Sequence, residues 1–214
     1  MKIAELPLPE FLKKKCPYPG LTPIQEKVVQ AGLFQGKSIL ACAPTASGKT
    51  FIATMAIAKT LGQGKSIYLV PLKALANEKY KEYQKLLEGT YYKAVLSTGE
   101  IDSESSYLAK YDLLILTTEK LDSLLRHRVS WLGEVQTVII DEIHLLNDSS
   151  RGPTLEVILT LLQKLIKPQF IGLSATIGNP QELAKWLQAE LVLDSWRPVE
   201  LKQGIHLEGK TEFY

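Results

Sequence analysis

The sequence predicts an α/β fold in which a mostly parallel β-sheet is covered by helices on both faces. Three observations lead there. Strand-like apolar runs alternate with helix-like ones along the chain, the way parallel strands are connected. The strand-like runs are apolar at successive positions, as expected of strands buried on both faces. One strand-to-helix junction reads Ala43-Pro44-Thr45-Ala46-Ser47-Gly48-Lys49-Thr50, the composition of a phosphate-binding loop. A chain of 214 residues can bury such a core as one domain, and no internal repeat divides it.

Composition narrows the class. A formal net charge of +2 neither demands nor excludes a nucleic-acid partner, so such binding has to come from local placement of Lys and Arg. The two cysteines, Cys16 and Cys42, argue against a disulfide scaffold and fit a reducing compartment. Residues 1–15 lack the apolar segment of a signal peptide, and no apolar run is long enough to span a bilayer. A cytoplasmic protein with no membrane partner is expected.

Along the chain, closely spaced prolines make residues 1–20 an extended lead-in with a short helix at most, and Lys13-Lys14-Lys15 reads as a solvated face. Thr22 can cap the next helix with Pro23 at its first position, which leaves Gln25 in the first turn. Strand 38–42 leads into the phosphate loop and helix 50–61 leaves it. Pro71 ends a strand over 66–70, and Leu72, Leu75, Ala76, Tyr80, Tyr83, Leu86 and Leu87 then recur at helical spacing. A strand over 92–97 runs into Thr98-Gly99, and residues 101–106 read as an acidic, serine-rich surface loop. Strand 112–116 feeds helix 118–126, and strand 135–140 enters Asp141-Glu142-Ile143-His144. An amphipathic helix from Leu155 to Ile166 precedes strand 170–173, which ends in Ser174-Ala175-Thr176. Helix 180–188 opens on Pro180, and 191–193 is the last strand expected.

The chemistry follows from this placement. Loop amides and a helix N-terminus suit phosphate, so Ala43, Thr45, Ala46, Ser47, Gly48, Lys49 and Thr50 are candidate nucleotide-binding residues. Lys49 would reach the β- and γ-phosphates, and Thr50 would offer its hydroxyl to Mg²⁺. Ala43 stands where such loops usually begin with glycine, and Ala46 where many carry another, so Ala43 is expected at ordinary negative φ. The plainer alternative is a surface turn that happens to read Gly-Lys-Thr. The Gln25 amide both donates and accepts, which suits the N6/N7 edge of adenine; an exposed first-turn glutamine is the plainer alternative. Ligands of such sheets bind at the carboxyl ends of the strands. There Asp141 would hold Mg²⁺ with Thr50, and Glu142 would orient or deprotonate a water attacking the γ-phosphate. His144, beside them, is either a structural hydrogen-bonding residue or a nucleotide-site residue bonding to the phosphate side or to Ser174-Ala175-Thr176, the role preferred being coupling, with Ser174 and Thr176, over proton transfer. The scattered His and Cys residues offer no zinc spacing.

Taken together, these motifs resemble superfamily-2 DExH-box helicases over nearly the whole chain, as the first of their two RecA-like motor domains. Leu21-Thr22-Pro23-Ile24-Gln25 resembles the adenine-reading Q motif, and Ala43 to Thr50 resembles motif I. Asp141-Glu142-Ile143-His144 resembles motif II, and Ser174-Ala175-Thr176 resembles motif III. Pro71 to Lys79 resembles motif Ia of the Ski-like branch, while Thr98-Gly99 and Thr117-Thr118-Glu119-Lys120 fit motifs Ic and Ib. Asp141 to Leu146, Gly172 to Pro180 and Trp196-Arg197-Pro198-Val199-Glu200-Leu201 are especially similar to archaeal Hjm-type DNA helicases.

The resemblance implies an ATP- and Mg²⁺-dependent motor that translocates on a single strand, with 3′-to-5′ unwinding in its DNA-repair members. It implies that Pro71, Lys73, Thr98, Gly99, Thr117 and Glu119 hold the backbone of single-stranded or branched DNA, by contacts that read no bases. RNA is the alternative substrate, and a nucleotide-dependent binding module without productive hydrolysis is the alternative of another class. Residues 1–20 are read as the lead-in, 21–205 as the ATP-binding domain, and 206–214 as a tail toward a second motor domain. In the family that domain supplies arginine fingers, worth a factor of roughly 10³–10⁵ in turnover, and no Gln-x-x-Gly-Arg-x-x-Arg run occurs in these residues. A monomer that binds nucleotide, hydrolyses it weakly and does not unwind duplexes alone is therefore expected.

Overall fold

The structure, a computed structural model, describes residues 1–99, 105–175, 177–200, 202, 204–207 and 209–213, the side chains of Ser105 and Glu212 excepted. Successive apolar residues become seven parallel strands: β1 (Ile39–Cys42), β2 (Lys65–Val70), β3 (Ala94–Ser97), β4 (Leu113–Thr117), β5 (Val135–Ile140), β6 (Gln169–Ser174) and β7 (Glu190–Leu193). Their order across the sheet is β3-β4-β2-β5-β6-β1-β7. Between them run α2 (Pro23–Gln30), which precedes β1, then α3 (Lys49–Thr60), α4 (Lys73–Leu87), α5 (Thr118–Arg126), α6 (Gly152–Leu165) and α7 (Pro180–Leu187). The short α1 (Glu10–Lys15) comes before them all.

Side chains of a strand point to alternate faces, and here both faces are apolar. Ile39 and Ala41 of β1 join Tyr68, Ile115, Ile139 and Ile171 under α2, α3 and α4. Leu40 and Cys42 join Leu69, Leu114, Val138 and Phe170 under α5, α6 and α7. The result is the three-layer arrangement expected of strands buried on both sides.

Two regions differ in detail from the sequence reading. The lead-in is short and irregular as expected, yet Ile3, Leu6, Leu8 and Leu12 are buried in the first core cluster. Lys15 is exposed, as a solvated face requires, and also donates to the carbonyls of Lys85, Leu86 and Glu88 at the end of α4. The strands also continue past 193. Gly204–Leu207 (β8) and Lys210–Phe213 (β9) pair as a separate antiparallel hairpin, turning at Gly209 with φ +78°. Residues 101–104, with most of the anticipated acidic loop, fall outside the described residues.

Two glycines seat the loop that follows β5. Gly172 of β6 lets the fully buried Ile143 approach: a Cβ there would stand 3.1 Å from the Ile143 Cδ1. Gly152, at the start of α6, abuts the Leu146 carbonyl so closely that a Cβ would overlap it. Gly152→Ala is expected to destabilise the fold by about 1–3 kcal/mol, a fall in Tm of about 2–4 °C for each kcal/mol. Thermal unfolding of the two proteins side by side checks this, and identical melting curves would contradict it.

Candidate nucleotide site at the carboxyl edge of the sheet

Parallel register brings the motifs together. Ile139, Ile171 and Ile39 form one row across β5, β6 and β1, and Ile140, Gly172 and Leu40 the next. Strand β1 continues to Cys42 opposite Ser174, two rows beyond the end of β5. Asp141 is therefore recessed relative to the phosphate loop, by about 6–7 Å at strand rise. Two inter-strand spacings, about 10 Å, separate the two laterally. Ser174 ends the strand between them, and its carbonyl accepts the Ala43 N–H at 3.2 Å.

The loop is built on left-handed backbone. Gly48 has φ +94° and caps α3, and Ala46, at the position where many such loops carry glycine, has φ +67°. Ala43 keeps the negative φ that a residue with a Cβ ordinarily favours. Thr45 and Ala46 are exposed, whereas the Ser47 hydroxyl is buried without a hydrogen-bond partner among the described residues. Lys49 and Thr50 open α3. The Lys49 ammonium donates to the carbonyls of Ala43 at 2.6 Å and Pro44 at 2.8 Å. Burial pushes its pKa down, opposed by the negative charges of Glu142 and Asp141. Parallel pairing of β5, β6 and β1 puts both acids at the same edge of the sheet as the lysine. Burial also raises the Cys42 thiol to about 11, so this thiol stays protonated at neutral pH.

Gln25 is where the sequence placed it, in the first turn of α2, but its amide is committed. Its Oε1 accepts the Thr22 N–H at 2.9 Å, completing a capping box, and its Nε2 donates to the Gly48 carbonyl at 2.8 Å. Thr22 Oγ1 donates to the Ser47 carbonyl at 2.9 Å. The start of α2 thus grips the phosphate loop at two points. Gln25, Gly48 and Thr50 line a cavity of about 1050 Å³ together with Tyr18, Phe51 and Trp196. Its walls are mainly apolar, and Asp141 and Glu142 are not among them; those acids line a separate small cleft with Pro71 and Thr118.

The acid pair is held by a residue that the sequence reading did not single out. Tyr68, buried on β2, donates its hydroxyl to Asp141 Oδ2 at 2.9 Å, while Asp141 Oδ1 accepts the Glu142 N–H at 3.1 Å. Burial, the neighbouring Tyr83 and the Asp141 charge raise the Tyr68 pKa, so it remains a donor. A tyrosine in an apolar strand was the available signal, since a buried phenol needs a partner. Glu142 has φ +53°, a conformation that costs a non-glycine residue about 1–3 kcal/mol. It turns the chain out of the strand into a 3₁₀ turn, Ile143–Asn147. His144 Nδ1 lies 3.3 Å from Glu142 Oε2 without hydrogen-bond alignment. Thr176 lies outside the described residues.

The candidate strand-contacting residues gather on the other half of the same edge. Pro71 and Lys73 follow β2, Thr98 and Gly99 follow β3, and Thr117 ends β4 with Glu119 just beyond, on three adjacent strands. Lys73, Gly99 and Glu119 are exposed and Pro71 and Thr98 partly so, but the Thr117 hydroxyl is buried without a partner among the described residues.

A Cβ at Gly48 would meet the Gln25 Nε2 at 2.5 Å. Gly48→Ala should therefore cost about 1–3 kcal/mol, from positive φ and this collision together. In a Gln25→Ala background the collision disappears and the φ penalty remains, so the double-mutant cycle should show coupling of about 0.5–1 kcal/mol. Urea unfolding of the four proteins measures it, and strictly additive losses would contradict the grip described.

Comparison with known proteins places this geometry in a family. Residues 22–183 match the model of the DEAD/DEAH box helicase family. The chain is 48% identical over 214 residues to the ATP-dependent DNA helicase Hel308 of Pyrococcus abyssi, covering 98% of this chain and 30% of that protein. It is 50% identical over 201 residues to the Hel308 of Methanococcus vannielii, covering 90% of this chain and 26% of the relative. Among solved structures, the DUF1998 helicase MrfA bound to DNA superposes with a TM-score of 0.77 at 26% identity, over 88% of this chain and 30% of MrfA. This chain thus spans less than a third of the length of the relatives it matches. With the phosphate loop, the acid pair and the sheet edge between them all inside the matched region, the chain belongs to the DEAD/DEAH box helicase family.

Proposed function

We propose that this chain is the ATP-binding motor domain of a DNA helicase, with the nucleotide bound between the phosphate loop and the Asp141-Glu142 turn. The observation that carries the reading is the shared edge: β1 and β5 run parallel on either side of β6, so the phosphate loop and Asp141-Glu142 leave the sheet at the same end. Loop amides and the N-terminus of α3 would take the β- and γ-phosphates, with Lys49 moving from the Ala43 and Pro44 carbonyls to the anion. The available oxygens fit Mg²⁺. Thr50 brings a hydroxyl and Asp141 a carboxylate already oriented by Tyr68, and the described residues contain no cluster of three or more metal-ligating side chains. Mg²⁺ is held in this way, by one or two protein oxygens completed by phosphates and water. When bound, it would neutralise charge developing on the phosphate oxygens. Glu142, its backbone turned out of the strand and its side chain partly exposed, would orient or deprotonate the attacking water. Ser174, His144 and Thr176 would couple that event to the edge beyond.

Single-stranded or branched DNA would lie along Pro71, Lys73, Thr98, Gly99, Thr117 and Glu119. The names of the relatives favour DNA over RNA. Backbone amides at the starts of α4 and α5 suit phosphates without reading sequence. Contact through the buried Thr117 side chain would require it to turn outward. We further propose that a second motor domain in the full-length protein completes the ATP site, leaving this chain alone a weak ATPase that separates no strands.

The test is Glu142→Gln. Nucleotide binding should persist within a few-fold while basal and DNA-stimulated turnover falls about 100-fold or more. Calorimetric ATP titration and a phosphate-release assay, with and without single-stranded DNA or RNA, read both quantities. Unchanged turnover would remove Glu142 from the chemistry; absence of any turnover in the unaltered protein, even extended through the next domain, would favour a nucleotide-dependent binding module.

A further inference from the structure

The stretch Trp196-Arg197-Pro198 follows the sheet and, beyond Trp196's place on the cavity wall, has been given no role in the site. It is nevertheless anchored there. The Asp194 N–H extends the β1–β7 ladder by donating to the Cys42 carbonyl at 3.1 Å, next to the first residue of the phosphate loop. The Asp194 side chain is only 5% exposed, and its Oδ2 lies 2.7 Å from Lys27 Nζ, an ion pair reaching across to α2. Lys27 donates as well to the Leu193 carbonyl at 3.1 Å. The other carboxylate oxygen, Oδ1, accepts the Trp196 N–H at 2.7 Å, a side-chain-to-backbone bond that turns the chain. Trp196 and Pro198 consequently form part of the wall of the same cavity as Gln25, Gly48 and Thr50.

Arg197 lies between those two wall residues. Among the described residues it has no acidic partner. Its charge reaches Lys49 and helps push that lysine toward its neutral form. Arg197 is exposed, while the Glu142 and Asp141 charges oppose its effect on Lys49; a polyphosphate reaching both cations would turn their mutual repulsion into attraction. The tryptophan ring, at 39% exposure, is uncovered at the cavity wall rather than packed in a core.

We propose that the Lys27–Asp194 pair latches this exit segment against the nucleotide cavity, so that Arg197 meets the nucleotide's phosphates from the same chain and Trp196 flanks its nucleoside end. Asp194 and Lys27 are positioning residues and touch no ligand. The inference rests on the nucleotide reading above and adds to it a third element of binding, supplied from beyond the last strand of the large sheet.

ATP titrations by calorimetry and by intrinsic fluorescence, on the unaltered chain and its variants, test this. Arg197→Ala should weaken ATP binding by about ten-fold or more, the scale of a lost charge-assisted hydrogen bond to phosphate, with Tm unchanged. Arg197→Lys should recover part of that loss. Trp196→Phe should remove the ATP-induced change in tryptophan fluorescence. Asp194→Asn should weaken binding and diminish the same fluorescence change, which a purely structural loss in a still-folded protein would leave in place. ATP affinity within two-fold of the unaltered chain in Arg197→Ala, or an undiminished fluorescence change in Trp196→Phe, would overturn the proposal while leaving the nucleotide site standing. Lys49→Ala is the control: if it binds ATP as tightly as the unaltered chain, the nucleotide reading itself falls and this inference with it.

Discussion

The structure depends on one constraint, the parallel in-register pairing of β5, β6 and β1. Three strands pointing the same way deliver Asp141, Ser174 and Ala43 to one edge, and the rows Ile139–Ile171–Ile39 and Ile140–Gly172–Leu40 fix how far each protrudes. A slip of one residue in any of them would turn its apolar set to the wrong face and move its terminal side chain by about 3.3 Å. Burial on both faces makes such a slip costly, so the core that stabilises the fold also sets the dimensions of the site. The shorter β5 recesses the acids and the longer β1 carries the loop forward, leaving between them a step of about 6–7 Å.

Left-handed backbone flanks the sheet: Arg128, Lys167 and Gln188 adopt it after helices at the opposite edge, and Ala46, Gly48 and Glu142 adopt it at this one, between a strand and the helical segment that follows. Fixed partners surround these residues. Thr22 and Gln25 hold the carbonyls of Ser47 and Gly48, Tyr68 holds Asp141, and Ile143 is buried against Gly172. Left-handed backbone of this kind persists only where its surroundings over-determine it. Here those surroundings are α2, β2 and β6, three elements otherwise distant in sequence.

Much of this was legible from the residues alone. Continuous apolar runs such as Val138-Ile139-Ile140 signal strands covered on both sides, and Gly-Lys-Thr between a strand and a helix signals the loop. The unread parts share a physical cause: they depend on which side chains meet after folding. Nothing local says that both ends of the Gln25 amide are taken by Thr22 and Gly48, or that Tyr68 reaches Asp141 across a strand pair. The buried Ile3, Leu6, Leu8 and Leu12 are separated by prolines and charges, without the periodicity that marks a core-facing element. The Thr117 hydroxyl points inward although the motif around it suggests an outward role. The 204–213 hairpin is short and exposed, and its strands lack the apolar runs used to find the others.

The central claim, that the loop and the acid pair converge on one metal–triphosphate, is tested most directly by a crystal structure of this chain with a non-hydrolysable ATP analogue and Mn²⁺ in place of Mg²⁺. The anomalous signal locates the metal without reference to any assumed role. The account predicts a single peak within about 2 Å of the Thr50 hydroxyl, touching the triphosphate and reaching Asp141 directly or through one water. A peak away from Thr50, or a triphosphate bound with Asp141 and Glu142 out of reach, would contradict it.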